Sequence, residues 1–179
     1  MKRRTVLAAT GSGIAALGGS ALYFASPSDV RTRKARISYE HLNDHVPRFL
    51  AVCAPPEDEY VGVIDASVDD TITKFTDAGF EEAYLSYLQA YERDGDIVYE
   101  QGNLIRESED GNNQLHVRLF PRGDQTEVWA HWEPSAKNNP VGHIVGDDVD
   151  YAKGESIIRD EFDIIDKPFD GDLSIEDRC

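Results

Sequence analysis

Two segments of alternating apolar and polar residues, separated by a short turn, constrain this fold more than any other feature. The segments are QLHVRLF (114–120) and TEVWAHW (126–132), and PRGDQ lies between them. Alternation with a period of two is typical of a half-buried strand, and Gly123 followed by Asp124 suits a tight turn. This turn predicts an antiparallel hairpin that pairs apolar residues on one face, whereas a one-residue slip would not. The predicted pairs are Leu119 with Val128, Val117 with Ala130, and Leu115 with Trp132.

The same register gathers polar side chains on the opposite face of the hairpin. The pairs on that face are Phe120 with Glu127, Arg118 with Trp129, and His116 with His131. Glu133 follows His131 by two residues, and His143 is within reach by a loop. Opposed Cβ atoms lie about 5 Å apart in such a hairpin, close enough for two imidazoles to share a metal.

His116, His131, His143 and Glu133 are therefore candidate ligands for zinc or another divalent metal, or candidate catalytic groups. The alternative is ordinary sheet packing beneath a helix or a partner, with Arg118 lying over Trp129 as a cation–π contact. The pattern HLNDH (41–45) is similar to an inverted zincin motif with Asp44 in place of glutamate, but Pro47 disfavours the helix that this motif needs.

The rest of the chain adds helices and further strands to the hairpin. Strands are predicted at 60–66, 96–101 and 102–108, and a short strand is predicted at the start of ISYEHLNDH (37–45). One helix is predicted to begin at a cap, Ser67 or Asp69, and to stop at Gly79. Another is predicted at 154–165, with Ile157, Ile158, Phe162 and Ile165 on one face. Residues 81–92 fit either a helix or a strand, and the acidic stretch after Pro168 is expected to be loosely held. The prediction is an α+β fold, an antiparallel sheet of about four to five strands with two or three helices packed on one face.

The N-terminal residues predict a targeting segment followed by a tether. Residues 5–24 carry no charge and are long enough to cross a bilayer as a helix. In KRRTVLAATG, Arg3 and Arg4 are followed by Val6 and Leu7 at the positions that a twin-arginine signal uses, and this resemblance implies export of folded cargo. Residues 1–25 are thus a signal or membrane anchor, 26–36 a basic tether, and 37–179 the acidic domain.

Whether the signal is removed depends on the residues before the end of the apolar stretch. Small residues at −3 and −1 favour cleavage, but Tyr23 would stand at −3 if the cut followed Ala25. A retained anchor through residues 5–24 is favoured, which would hold the domain at the outer face of the membrane. Cleavage would release it outside the cell. Basic residues on both flanks leave a third possibility, a cytosolic domain on a reversed anchor.

Charge restricts both the solvent and the partners of the domain. Residues 37–179 contain 11 basic and 33 acidic side chains, a net charge of −22. Such self-repulsion destabilises a compact state in dilute buffer, and molar salt screens it. Abundant aspartate with only four lysines in the domain is similar to exported proteins of the haloarchaeal type. Nucleic acid is excluded as a partner, because its phosphates need a basic face.

The sequence contains two cysteines and no complete catalytic set. Cys53 and Cys179 permit one disulfide bond, although their spacing does not decide whether it forms. No cysteine or serine has a neighbouring base in the sequence. The leading hypothesis is a non-enzymatic, membrane-tethered domain with a binding or structural role at the cell surface. The alternative is a small metal-dependent enzyme that uses the histidine cluster.

Overall fold

The computed structural model describes residues 27–43, 45, 51–83, 88–146 and 148–175. A π-helical turn (Ser38–Leu42) follows the first helix, and a 3₁₀ turn (Glu57–Glu59) precedes the first strand. The helices are α1 (Pro27–Ile37), α2 (Val68–Asp77), α3 (Pro140–Val145) and α4 (Tyr151–Glu161). The strands are β1 (Tyr60–Ile64), β2 (Glu81–Glu82), β3 (Ala90–Arg93), β4 (Asp96–Tyr99), β5 (Gly102–Glu107), β6 (Asn113–Arg122) and β7 (Gln125–Pro134).

Five strands form one antiparallel sheet in the order β1-β7-β6-β5-β2, and β3 pairs with β4 in a separate ribbon. The turn between β6 and β7 contains Gly123 at φ +63°, a left-handed conformation that glycine adopts without a steric cost. The predicted register of this hairpin is confirmed on both faces. Leu119 lies opposite Val128 on the apolar face, and His116 lies opposite His131 on the polar face.

Helices α2 and α4 pack on the apolar face of the large sheet. Phe75 of α2 and Ile158 of α4 are fully buried in one cluster with Val117 and Ala130 of the hairpin. Phe75 also stacks on Phe162, with ring centroids 4.1 Å apart. The predicted α+β class, with a sheet of about four to five strands and helices on one face, is confirmed.

The two helices begin at side-chain caps. The Ser67 side chain accepts a hydrogen bond from Asp70 N at the start of α2, and Gly79 just beyond its end has φ +87°. Helix α4 begins earlier than the predicted 154–165, because the Asp150 side chain accepts from Lys153 N and caps it. It also ends earlier, at Glu161. Ile165 was placed on the helix wrongly: its backbone hydrogen-bonds to Val63 of β1 as extended chain.

A second layer covers the polar face of the large sheet. Tyr91 of β3, Phe120 and Trp129 are fully buried there, and Phe169 packs on Trp129 with ring centroids 5.0 Å apart. The stretch after Pro168 was expected to be loose, but Glu92 N donates to the carbonyl of Asp172 and ties it to the ribbon. In the ambiguous segment, 81–82 and 90–93 are strands, and 84–87 lie outside the described residues.

The segment expected to be a basic tether is helical from Pro27 onward. Ala35 of α1 and Tyr39 of the π-helical turn share a helical spacing of four, and both pack in the cluster that contains Tyr99. Arg31 forms an ion pair with the buried Glu100, with Nη2 2.6 Å from Oε1. The prediction of a short strand from Ile37 was therefore wrong, because Ile37 ends α1 and the residues after it form the π-helical turn.

The N-terminal predictions and the disulfide question lie partly outside what the structure describes. The predicted anchor, 5–24, falls wholly outside the described residues. Within those residues, no helix combines the length and the apolar character needed to cross a membrane. Cys53 takes part in a disulfide bond, and Cys179, the other cysteine of the sequence, lies outside the described residues.

Candidate functional site

The structure brings together all four residues singled out in the sequence. His116 on β6, and His131 and Glu133 on β7, project from the polar face of the sheet, and His143 on α3 meets them from the side. Three ring nitrogens face the Glu133 carboxylate. His116 Nδ1 lies 3.0 Å from Oε1, His131 Nε2 lies 3.3 Å from Oε2, and His143 Nδ1 lies 3.0 Å from Oε2. The rings of His116 and His131 are edge-to-face, with centroids 4.9 Å apart.

The local sequence explains how His143 reaches the sheet. The Asn139 side chain accepts a hydrogen bond from Gly142 N, and Pro140 occupies the first turn of α3. Gly142 is buried against the rest of the chain, and Gly146 ends the helix at φ +70°. This short helix therefore presents its imidazole inward. Its aliphatic side chains, Val141, Ile144 and Val145, are exposed.

The cluster lies almost entirely below the protein surface. The side chains of His116, His131 and Glu133 are 4%, 7% and 6% exposed, whereas that of His143 is 27% exposed. Within the described residues, His116, His131 and Glu133 are the one group of three or more histidine, cysteine or acidic side chains whose ligand atoms all lie within 4.8 Å of one another. His143 is therefore the member of the cluster most in contact with solvent.

The far nitrogens of the two buried imidazoles also have polar neighbours. His116 Nε2 lies 2.8 Å from Asn103 Oδ1 of β5. His131 Nδ1 lies 3.1 Å from Glu59 Oε1, the last residue of the 3₁₀ turn. Glu59 is itself buried, and its other oxygen lies 3.8 Å from Arg118 Nε. Each ring is thus held between two oxygen atoms.

Gln114 fixes the carboxylate at the centre of the cluster. Its Nε2 donates to Glu133 Oε1 at 2.7 Å, and its Oε1 accepts from Ala136 N at 3.1 Å. The same Oε1 of Glu133 also faces His116. The carboxylate is therefore anchored by a neutral amide that does not depend on the protonation of the histidines.

The two opposed histidines have pKa values shifted in opposite directions. Burial lowers the pKa of His116 to about 3, assisted by the charge of Arg118, and the hydrogen bond to Glu133 does not offset it. Burial also acts to lower the pKa of His131, but contacts with Glu133 and Glu59 outweigh it and raise this pKa to about 9. Of the two opposed imidazoles, His116 is therefore neutral and His131 protonated at neutral pH.

The pKa values of the remaining groups of the cluster are shifted in the directions that favour their charged forms. Burial acts to raise the pKa of Glu133, but hydrogen bonds from His116, His131 and His143 lower it well below its usual range. The hydrogen bond to Glu133 raises the pKa of His143. The pKa of Glu59 is lowered because the hydrogen bond and charge of His131 outweigh the effect of burial.

Three residues of the site were not among the candidates named from the sequence. Gln114 alternates with His116 along one strand, so the period of two was enough to find it. Asn103 lies on β5, opposite Arg118, and the β5–β6 register would have placed it near His116. Glu59 comes from an acidic loop, EDE, in which no pattern distinguishes the residue that turns inward.

Two further buried carboxylates lie on the same side of the sheet, and both face arginines. Glu100 contacts Arg31 and Arg118, the latter through Nη1 at 3.4 Å. Glu127 contacts Arg93 and accepts from Arg122 Nη1 at 3.0 Å. The guanidinium of Arg118 thus lies between Glu59 and Glu100. These carboxylates take the place of the cation–π contact with Trp129 that the sequence suggested.

An open acidic cleft lies beside the cluster. It has a volume of about 640 Å³, and Tyr151 lines it together with Asp58, Asp148, Asp150 and Glu155. The ring of Tyr151 meets the ring of His131 edge-on, with centroids 6.4 Å apart. The cleft and the buried cluster are therefore separated by the Tyr151 side chain.

The earlier HLNDH hypothesis receives no geometric support. His41 is 69% exposed on the π-helical turn, close to Glu40, and His45 is also exposed. Asp44 lies outside the described residues. Comparison of the chain with protein-family models, with curated proteins and with solved structures found no match.

Proposed function

We propose that the chain is an exported protein whose acidic α+β domain has a binding or structural role at the outer face of the cell membrane. The observation that carries the proposal is the N-terminal sequence, in which Arg3 and Arg4 precede the charge-free residues 5–24. This order of features is typical of a twin-arginine signal. Because position −3 of the possible cleavage site is occupied by the large side chain of Tyr23, the segment is not cleaved and stays attached as an anchor.

The distribution of acidic residues supports a domain that faces a concentrated salt solution. Among the described residues, only four carboxylates are buried, and each has at least one cationic neighbour. They are Glu59, Glu100, Glu127 and Glu133. The large excess of negative charge is therefore carried by side chains in contact with solvent, where salt can screen it.

Export is tested by replacing Arg3 and Arg4 together with lysine and locating the protein in fractionated cells. We expect the double variant to stay inside, because the transport route recognises the arginine pair. Arg33→Lys, an exposed position on α1, is the matched control and should leave export unchanged. Surface exposure that persists in the double variant contradicts the proposal, and an internal wild-type domain favours the reversed anchor.

The charge argument is tested by urea unfolding at two salt concentrations. At 3 M KCl the Debye length is below about 3 Å, whereas at 50 mM it exceeds 10 Å. We expect the midpoint of unfolding to fall sharply at the lower concentration because the surface acids then repel one another. An equal midpoint in both solutions would show that the acidity is not an adaptation to salt.

A small metal-dependent enzyme is the second candidate, and the meeting of His116, His131, His143 and Glu133 favours it. Catalysis needs an open coordination position, whereas a structural site is closed by protein ligands. Adding azide to protein loaded with Co²⁺ distinguishes a catalytic from a structural site. Azide binds the metal at an open coordination position, and its binding changes the visible spectrum. We expect no change for a closed site, and a changed spectrum would favour the enzyme.

A further inference from the structure

We propose that His116 Nδ1, His131 Nε2 and the Glu133 carboxylate form a divalent transition-metal site, with His143 Nδ1 as the fourth ligand and Zn²⁺ as the best-fitting ion. This inference is independent of the proposed export, because a structural metal is compatible with a binding domain in any compartment. It rests on three observations. The first is the spacing of the histidine nitrogens that face Glu133 (the near nitrogens), and the second is the set of groups that contact the other ring nitrogens (the far nitrogens). The third is a conflict at His116, because both of its ring nitrogens face hydrogen-bond acceptors.

The near nitrogens already have almost the separations that a tetrahedral site needs. With bonds of about 2.0–2.1 Å, the edges of a ligand tetrahedron are about 3.3 Å long. The distances from histidine nitrogens to Glu133 oxygens are 3.0 Å to Oε1 for His116, and 3.3 and 3.0 Å to Oε2 for His131 and His143. The ligand atoms of His116, His131 and Glu133 lie within 4.8 Å of one another, so these three need only small shifts to close around an ion, and His143, outside that group, must move in as the fourth ligand.

The far nitrogens have the partners that metal-binding histidines use. Such a histidine donates its other N–H to a carboxylate or carbonyl oxygen, and this contact fixes the tautomer and the orientation of the ring. Asn103 Oδ1 stands in this position for His116, and the Glu59 carboxylate lies 3.1 Å from His131 Nδ1 without the geometry of a hydrogen bond. Both neighbours are buried, so the His116 ring is held before an ion arrives, and the His131 ring needs only a small rotation to donate to Glu59.

The contacts of His116 contain a conflict that a cation would remove. A neutral imidazole has one proton, yet both of its nitrogens face oxygen atoms, at 2.8 and 3.0 Å. If Nε2–H donates to Asn103, the lone pair of Nδ1 points at the Glu133 carboxylate. A metal ion between Nδ1 and the carboxylate turns this repulsion into two bonds.

Without a metal, the same conflict can be relieved by rotating the Asn103 amide. Its Nδ2 is buried and has no hydrogen-bond partner in the present orientation, and rotation would let it donate to His116 Nε2. The tautomer of His116 therefore reports on the site: Nε2–H with the metal, and Nδ1–H without it.

The ligand set selects the kind of ion. Three imidazole nitrogens and one carboxylate oxygen suit Zn²⁺ and its transition-metal neighbours, whereas Mg²⁺ and Ca²⁺ prefer oxygen ligands alone. Zn²⁺ accepts a closed tetrahedral site most readily, because it has no geometric preference from its d electrons. The acidic cleft on the other side of Tyr151 raises the concentration of cations near the site, because its carboxylates are clustered.

The test uses the full chain, treated with a chelator, dialysed and titrated with Zn²⁺ in 3 M KCl. We expect one zinc per chain by elemental analysis, a higher melting temperature, and a change of His116 from the Nδ1–H to the Nε2–H tautomer in ¹⁵N spectra. Failure of the wild-type protein to take up one equivalent overturns the proposal, and this result does not affect the export test. Uptake without the tautomer change overturns the assignment of His116 Nδ1.

Variants locate the ion within the cluster. Glu133→Gln should abolish stoichiometric binding, and Asn103→Ala should weaken it by about 10–100-fold, as expected for a residue that positions a ligand. His41→Gln, at an exposed position, is the matched control and should bind as the wild type does. Unchanged binding by Glu133→Gln contradicts the assignment. If that variant fails to fold, the wild-type titration and its tautomer readout still decide.

Discussion

Replacing Gly154 with alanine tests the packing that supports the candidate site. Gly154 is buried in α4, where the helix rests directly on β7. A Cβ atom at this position would lie 2.6 Å from His131 Cα, and 2.9 Å from both the carbonyl carbon and the nitrogen of the same residue. Contacts between carbon atoms are favourable only at about 3.5–4.0 Å. The helix would therefore have to retreat by about 1 Å along this line.

Two opposing effects determine the magnitude of the change. Alanine is favoured over glycine within a helix by about 1 kcal/mol. Overpacking of a close contact costs about 1–3 kcal/mol, and the upper part of this range applies when the obstacle cannot move. Here the obstacle is backbone: His131 pairs with His116, and the next residue, Trp132, hydrogen-bonds to Asp150. We expect a net loss of about 1–2 kcal/mol in the free energy of unfolding.

The assay is urea unfolding of wild type and variant at one fixed, molar concentration of KCl. Ser156→Ala is the matched control, since it introduces the same residue into the same helix at an exposed position. We expect that control to equal the wild type or to exceed its stability by a few tenths of a kcal/mol. If Gly154→Ala is also as stable as the wild type, the close packing of α4 on β7 is wrong.

Two further changes follow from the cluster and the core. Because the pKa of His131 is raised to about 9 in the folded protein, its contribution to stability is complete below pH 6.5 and is lost as the pH rises through 9. In chelator-treated protein, the free energy of unfolding from urea titrations should thus fall by about 3 kcal/mol towards pH 10, and His131→Gln should flatten this decline. Phe75→Ala should lower the free energy of unfolding by about 3–5 kcal/mol, since the fully buried ring stacks on Phe162. A loss below 1 kcal/mol in the same assay would show that α2 does not depend on this contact.

The hairpin could be predicted in detail because two independent constraints agree there. Alternation fixes which residues share a face, and the turn at Gly123 fixes which residues lie opposite one another. Together they place His116 against His131 without any knowledge of the rest of the chain. Glu133 follows from the same alternation, and His143 is brought in by a helix that begins only a few residues beyond the strand.

The second layer could not be predicted because its signals are non-local. The face that carries His116 was treated as the outer face of a single sheet, yet the ribbon containing Tyr91 and the extended stretch containing Phe169 cover it. Neither segment has a periodic pattern of its own. Phe169 stands in an acidic sequence and is partly buried because Trp129 and Tyr91 offer a surface for it. Tertiary contacts decide such segments, and local propensity does not.

The error at the N-terminal side of the domain has a related cause. SPSDVRTRKAR (26–36) has a basic, polar composition, which favoured a solvated tether. Only Ala35 and the following Tyr39 reveal a helical face, and two residues are too few to establish a period. Arg31, expected in that tether, instead pairs with the buried Glu100. Its charge is therefore paired within the domain.

Salt acts weakly on the buried charges of this domain and strongly on the exposed ones. Ion pairs such as Arg31–Glu100 and Arg93–Glu127, whose carboxylates are fully buried, are screened little by dissolved ions. Exposed pairs such as Arg159–Asp166 are screened strongly, but each contributes at most about 1 kcal/mol. Repulsion among the surface acids is also screened, and it involves far more charges than the exposed pairs do. Added salt therefore removes more repulsion than attraction, so the stability of the fold should rise with salt even though its interior contains ion pairs.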